Sequence, residues 1–301
     1  MRRIALGAAL VIAAAAMACS TGDASVAQSD AAEAPAMAEQ TVPTARRDFV
    51  FDGIFRQGGI VRGQVPTGTQ RLSLNDTDIP IADDGSFVIG FGRDHGAAAT
   101  LTAYSQSGAE QVRTLSIAST DWRIERVNAS RRGGRSSAEF QRRRAPEISQ
   151  IVAAREIRSD INGWRQDFMW PVTGRISGVF GSQRIYRGEP GSYHSGVDIA
   201  RPSGTPIVAP ADGVVVLATE TPFSLEGYLL IIDHGMGLNS AFLHLSRIDV
   251  TLGQVVERGQ RIAAIGSSGR ATGPHLHWGM KWENQRIDPR FLAGPMPVSG
   301  S

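Results

Sequence analysis

At 301 residues, 42% of them apolar, the chain holds material for two modest domains with ordinary cores. Its 31 basic and 29 acidic residues leave a formal charge of +2, which excludes a strong overall field for steering nucleic acid or another polyanion. A single cysteine, Cys19, excludes an intramolecular disulfide and any zinc site built from thiolates.

The first 18 residues read as an export signal: Arg2 and Arg3 precede an apolar run too short to span a bilayer comfortably, and small residues surround Ala16 and Ala18. Cys19 follows directly. Its place is similar to the lipidation site of bacterial lipoproteins, although Ala16 and Met17 fit the usual box incompletely, so acylation and plain cleavage after an Ala-x-Ala pattern both stay open. Either outcome puts the mature protein outside the cytoplasm, in the periplasm or cell envelope. Residues 19–46 are rich in Ala, Ser, Asp, Glu and Pro and are expected to form a flexible tether, ending at a membrane anchor if Cys19 is acylated.

Residues 47–125 carry short β-forming runs, among them "DFVFDGIF", "SFVIGF" and "ATLTAYS", with turn pairs Asn75-Asp76 and Asp84-Gly85 between them. This spacing predicts a small accessory domain resembling a β-sandwich. His95, in a glycine-flanked loop, reads as solvated, with no second ligand nearby. Residues 126–168 form an arginine-rich linker whose apolar spacing predicts a solvated helix entered at Pro146-Glu147. Its arginines lack interleaved aromatic platforms, which argues against nucleic acid.

From residue 169 to 295 the chain is again β-rich and dense in glycine, with strands expected at "PIVAP", "GVVVLAT", "YLLIIDH", "SAFLHLS", "RIAAIG" and "HLHWGM", followed by a tail over 296–301. Alternation puts His275 and His277 on one strand face and Leu276 and Trp278 on the other. The same rule puts His244 on the face of Phe242. A hydrolytic zinc site needs three nitrogen or oxygen ligands and an open position for water. His194, Asp198 and one of the pair His275/His277 supply such a set, and the remaining histidines are free to move protons. With no H-E-x-x-H in the chain, a glutamate base on a helix is unavailable. His234, before a glycine turn, reads as structural, and Tyr193, Trp278 and Trp282 read as core before groove.

"HSGVDIA", "FLHLS" and "GPHLHW" together resemble the three motifs of the LytM/lysostaphin-type zinc metallopeptidases, which cut peptide bonds in peptidoglycan; the likeness covers roughly residues 169 to 294. It implies a mainly β chain with an antiparallel catalytic sheet, one zinc ion held by His194, Asp198 and His277, and His244 and His275 beside the attacking water. All five positions are filled, which favours an active enzyme over the members that have lost activity. Phe242 replaces a frequent tyrosine, removing a hydroxyl but no ligand. The implied partners are peptidoglycan peptides, with room for a protein activator.

Two other classes compete. A wall-binding protein that activates amidases would keep the fold without hydrolysis. A biotinyl- or lipoyl-type carrier is suggested by "APADGVVV" with "VERGQRIAAIG", yet it needs a lysine in the turn between those halves, and the chain's only lysine, Lys281, lies past the histidine pair.

Overall fold

Phe49, Val61, Leu72, Phe87, Ile89 and Leu101 lose all or nearly all contact with water, and their spacing along short strands defines the first half of the fold. The computed structural model describes residues 45–130 and 137–297, so the export signal, Cys19 and nearly all of the expected tether lie outside the described residues. Strands β1 (Val50–Gly53), β2 (Ile60–Gln64) and β5 (Ser86–Gly90) make one antiparallel sheet, in the order β1-β2-β5. A second is built from β3 (Thr69–Leu74), β4 (Thr77–Ile79), β6 (Ala98–Ser105) and β7 (Glu110–Ser116), in the order β4-β3-β6-β7. The strand β8 (Ile124–Val127), which straddles the expected boundary between accessory domain and linker, pairs in parallel with β10 (Gln183–Tyr186), which also pairs with β11 (Glu189–Pro190).

The helix α1 spans Ala138–Glu156 and so begins eight residues before the expected entry at Pro146. Ser137 supplies the reason. Its hydroxyl accepts from the Phe140 amide at 3.1 Å, satisfying one of the donors that an open helix end leaves bare. Pro146 therefore sits inside the helix, at the cost of one ladder bond. Nor is α1 merely solvated. Ala154 packs with Val216, Phe223, Leu229, Ile231 and Ala241 on one face of the large sheet, and Arg144 holds Glu226 through two hydrogen bonds of 2.6 and 2.7 Å.

That sheet is antiparallel and follows β9 (Arg175–Gly178) with β12 (Val197–Ala200), β13 (Pro206–Val208), β14 (Gly213–Ala218), β15 (Tyr228–Asp233), β16 (Leu238–Ile248), β17 (Val255–Val256), β18 (Arg261–Ile265), β19 (His275–Trp282) and β20 (Gln285–Ile287). Its main order is β17-β14-β15-β16-β19-β12-β9, with β18 joined to β16 and β13, and β20 to β19. A short helix, α2 (Arg290–Ala293), follows. Leu230, Ile232, Phe242, Leu276, Trp278 and Met280 point to one face and are buried. Trp282 is buried with them, so both tryptophans of β19 are core residues.

The described residues cluster as one compact unit, and one large apolar core runs from Phe49 to Ile287, with the smaller cluster under α1 beside it. Gly90 on β5 marks the join: a Cβ there would stand 3.0 Å from Ile287 and 3.1 Å from Trp282. Arg62 donates from β2 to the carbonyls of Trp164 and Gln166, tying the first half of the fold to the segment that enters the large sheet.

Candidate metal centre

Asp198 and His277 are direct partners in the pairing of β12 with β19, as Ala200 is with His275. On β19 the two histidines share the face opposite the core, as strand alternation requires. His194 stands four residues before Asp198 in the loop leading into β12, where its amide donates to the Ser182 carbonyl and its own carbonyl accepts from Gly181, both at 2.8 Å. The ligand-capable atoms then meet in a triangle: Asp198 Oδ1 to His194 Nε2 is 3.0 Å, Asp198 Oδ1 to His277 Nδ1 2.8 Å, and His194 Nε2 to His277 Nδ1 3.1 Å.

Donors on a tetrahedron about 2 Å from its centre lie roughly 3.3 Å apart, so these three residues fit a zinc-sized ion with little adjustment. The donor set is also chemically apt, two imidazoles and one carboxylate, and among the described residues it is the group that can hold a metal. His194 Nδ1 faces the Val179 carbonyl at 3.1 Å, a bond that puts the proton on Nδ1 and leaves Nε2 as the ligand atom. Burial opposes charge on Asp198, but hydrogen bonds from His194 and His277 outweigh it and hold the carboxyl well below its usual range. Burial likewise opposes charge on His194, and Asp198 overcomes it, raising that imidazole; His277 is lowered, chiefly by burial.

His244 reaches the same centre by a route that alternation does not predict. Phe242 points into the core with no exposure, and an unbroken strand would send His244 there too. Instead His244 has φ of +61°, and the pairing of β15 with β16 gains a residue, from Leu230 opposite Phe242 to Tyr228 opposite Leu245. This bulge turns the side chain to the other face, correcting the expectation that His244 shares the face of Phe242. Its ring centroid lies 4.9 Å from His275 and 6.3 Å from His277. Both outer histidines are anchored alike: His244 Nδ1 meets the Ser268 carbonyl at 2.9 Å and His275 Nδ1 the Gly273 carbonyl at 2.8 Å. Each Nε2 is thereby left as the atom that can take a proton. Burial, followed by repulsion from His275 and His277, lowers His244.

Glycines let these strands close on one another, a signal the motifs alone do not convey. A Cβ at Gly178 would lie 2.5 Å from Asp198 Oδ2, and one at Gly196 would lie 2.4 Å from the Trp278 carbonyl oxygen and 2.8 Å from His277 Nε2. A groove of about 270 Å³ runs from His277 past Gly279 and Leu243 to Arg144 and Ile151 of α1. The helix thus forms one wall of the groove. His234 and His95 stand apart from the centre: His234 is fully buried between the Asp212 carbonyl and Ser240, and His95 lies against Phe91.

Comparison with known proteins covers this region. The sequence pattern of Peptidase family M23 matches residues 192–289, a span that contains all five residues of the centre. Peptidoglycan DD-endopeptidase ShyA of Vibrio cholerae is 44% identical over 129 residues, 42% of this chain and 29% of that protein. Peptidoglycan DD-endopeptidase ShyB of the same organism is 35% identical over 149 residues, 50% of this chain and 30% of that protein. The matched part therefore spans less than a third of either relative. A crystal structure of a candidate peptidase M23 from Pseudomonas aeruginosa superposes with a TM-score of 0.62 at 27% identity, covering 81% of this chain and 96% of that one. The histidine and aspartate cluster, the antiparallel sheet that carries it and these likenesses agree: residues 192–289 match Peptidase family M23 in sequence pattern and are similar to it in fold.

Proposed function

We propose that the protein is an exported zinc metalloendopeptidase that hydrolyses peptide bonds in peptidoglycan stem peptides or cross-links and so remodels the cell wall. The observation that carries this reading is the triangle of His194, Asp198 and His277 donors, 2.8 to 3.1 Å on an edge, with two further imidazoles facing it. The endopeptidase relatives supply the substrate class. Export rests on the basic and apolar start of the sequence, and the membrane tether on Cys19.

Zinc in this donor set would polarise the scissile carbonyl and bring the pKa of water down to about 7. The chain's own residues do the rest. His194, Asp198 and His277 bind and orient, and the carboxylate offsets part of the positive charge. His244 and His275, each with Nδ1 held by a backbone carbonyl, present Nε2 to accept a proton from water and to return one to the leaving amine. Their paired rings also face the place where negative charge develops on the carbonyl oxygen.

Purified protein, analysed for zinc and incubated with peptidoglycan with and without chelator, tests the reading through the muropeptides released. Stoichiometric zinc with chelator-sensitive release is expected. Metal-free protein that releases nothing yet activates an amidase would replace it with the regulator reading.

A further inference from the structure

Beyond His277, the open face of β19 continues with Gly279 and then Lys281, because alternate residues share a face. Gly279 leaves the floor of the groove bare. Lys281 stands four residues past His277, about 14 Å along the strand at about 3.4 Å per residue. Its direct partner in β20 is Arg286, and Arg155, from the last turn of α1, completes a basic wall around a cavity of about 500 Å³ that Tyr193 also lines. Arg155 and Arg286 line the groove below His277 as well, so the cavity and the groove adjoin.

Like charges set directly opposite each other on neighbouring strands are destabilising. Here three converge, and the acids nearby are committed elsewhere: Glu283 to Arg158 at 2.7 Å, Glu226 to Arg144 at 2.6 Å and Asp94 to Arg93 at 2.5 Å. Arg155 Nε is buried without a hydrogen-bond partner among the described residues. Burial and then Arg286 push the Arg155 guanidinium down to about 10, and burial followed by Arg155 and Arg286 lowers Lys281. Arg93, by contrast, is fully engaged with the Gly181 carbonyl, Asp94 and Gln183 and is structural. A cluster of cations with no direct ion pair among the described residues, at the end of a groove, is the arrangement an anionic ligand would neutralise.

We propose that Lys281, Arg286 and Arg155 form a carboxylate-binding subsite that anchors an acidic peptide substrate at the end of the groove remote from the metal ligands. It rests on the metallopeptidase reading and adds to it a specificity determinant. An extended peptide advances about 3.3 to 3.6 Å per residue, so the recognised carboxylate lies roughly three to four residues from the scissile bond. Stem peptides of the cell wall are short and bear free carboxylates, and a neutral peptide of the same length would lack this anchor.

The test compares a cross-linked muropeptide with the same muropeptide after carbodiimide amidation of its carboxylates. Binding of both to full-length protein, metal-free in chelator, is measured by calorimetry for the unaltered chain and for the double variant Lys281→Gln/Arg286→Gln; KM and kcat follow for the zinc-loaded forms. In the unaltered protein amidation should weaken binding by about tenfold or more, the weight of one charge-assisted hydrogen bond or two. In the double variant that difference should vanish, with KM raised and kcat nearly unchanged, and Lys281→Arg should keep it. Thermal melting checks folding, which removal of like charges should leave intact. Equal affinity of the unaltered protein for the two muropeptides overturns the subsite, whatever the variants do. Charge discrimination without any hydrolysis would keep the subsite and remove the enzyme reading.

Discussion

His277 Nδ1 lies 2.8 Å from Asp198 Oδ1 across the pairing of β12 with β19, so two residues 79 positions apart in sequence share one rung of the sheet. Removing either breaks the donor triangle. Asp198→Ala should lower zinc affinity by more than the roughly 10- to 100-fold that loss of an outer-shell partner costs. His277→Ala should do the same. Equilibrium dialysis against a zinc indicator measures the loss, and peptidoglycan hydrolysis should vanish with the metal.

His244→Ala separates the tasks. Its ring faces the centre from β16 without joining the triangle, so zinc content should persist while turnover falls by about 10²- to 10⁴-fold, the usual weight of a general base. Metal analysis and muropeptide release on the same sample check both halves.

Gly196→Ala probes how closely the loop and β19 approach. The added methyl would meet the Trp278 carbonyl oxygen at 2.4 Å and His277 Nε2 at 2.8 Å, contacts that require backbone to shift. Overpacking of this kind costs about 1 to 3 kcal/mol. A lower midpoint in urea together with weaker zinc binding is expected.

His234 sets a pH dependence of stability away from the metal centre. Complete burial brings its pKa down to about 4, against 6.5 in the unfolded chain. Between these values the unfolded chain takes up a proton that the folded one refuses. The contribution is therefore complete above pH 6.5 and is lost as pH falls toward 4, by up to roughly 3 kcal/mol. Urea titrations across that range should show a slope that flattens in His234→Gln.

Much of the large sheet was legible in the sequence. "YLLIIDH", "SAFLHLS" and "HLHWGM" became β15, β16 and β19, and the alternation of His275 with Leu276 and His277 with Trp278 separated the open face from the core. His244 was legible as a residue but not as a direction, because alternation assumes an unbroken strand and the bulge depends on pairing with β15. The start of α1 was missed for a local reason: Pro146 is a good first-turn residue, and the Ser137 cap lies in a serine and arginine stretch with no acidic residue at the third helical position. Nor did spacing reveal that α1 walls the groove, since its contacts to Glu226 and Ser224 link residues 82 and 77 positions apart.

The rung shared by Asp198 and His277 also orders events during folding. Until β19, near the end of the chain, has docked beside β12, only His194 and Asp198 are close enough to grip an ion, and two ligands hold it weakly. Long-range pairings of this kind form late. A three-ligand site would therefore exist only after the sheet has closed, and, on the export and zinc use proposed above, the chain would draw its zinc from the far side of the membrane.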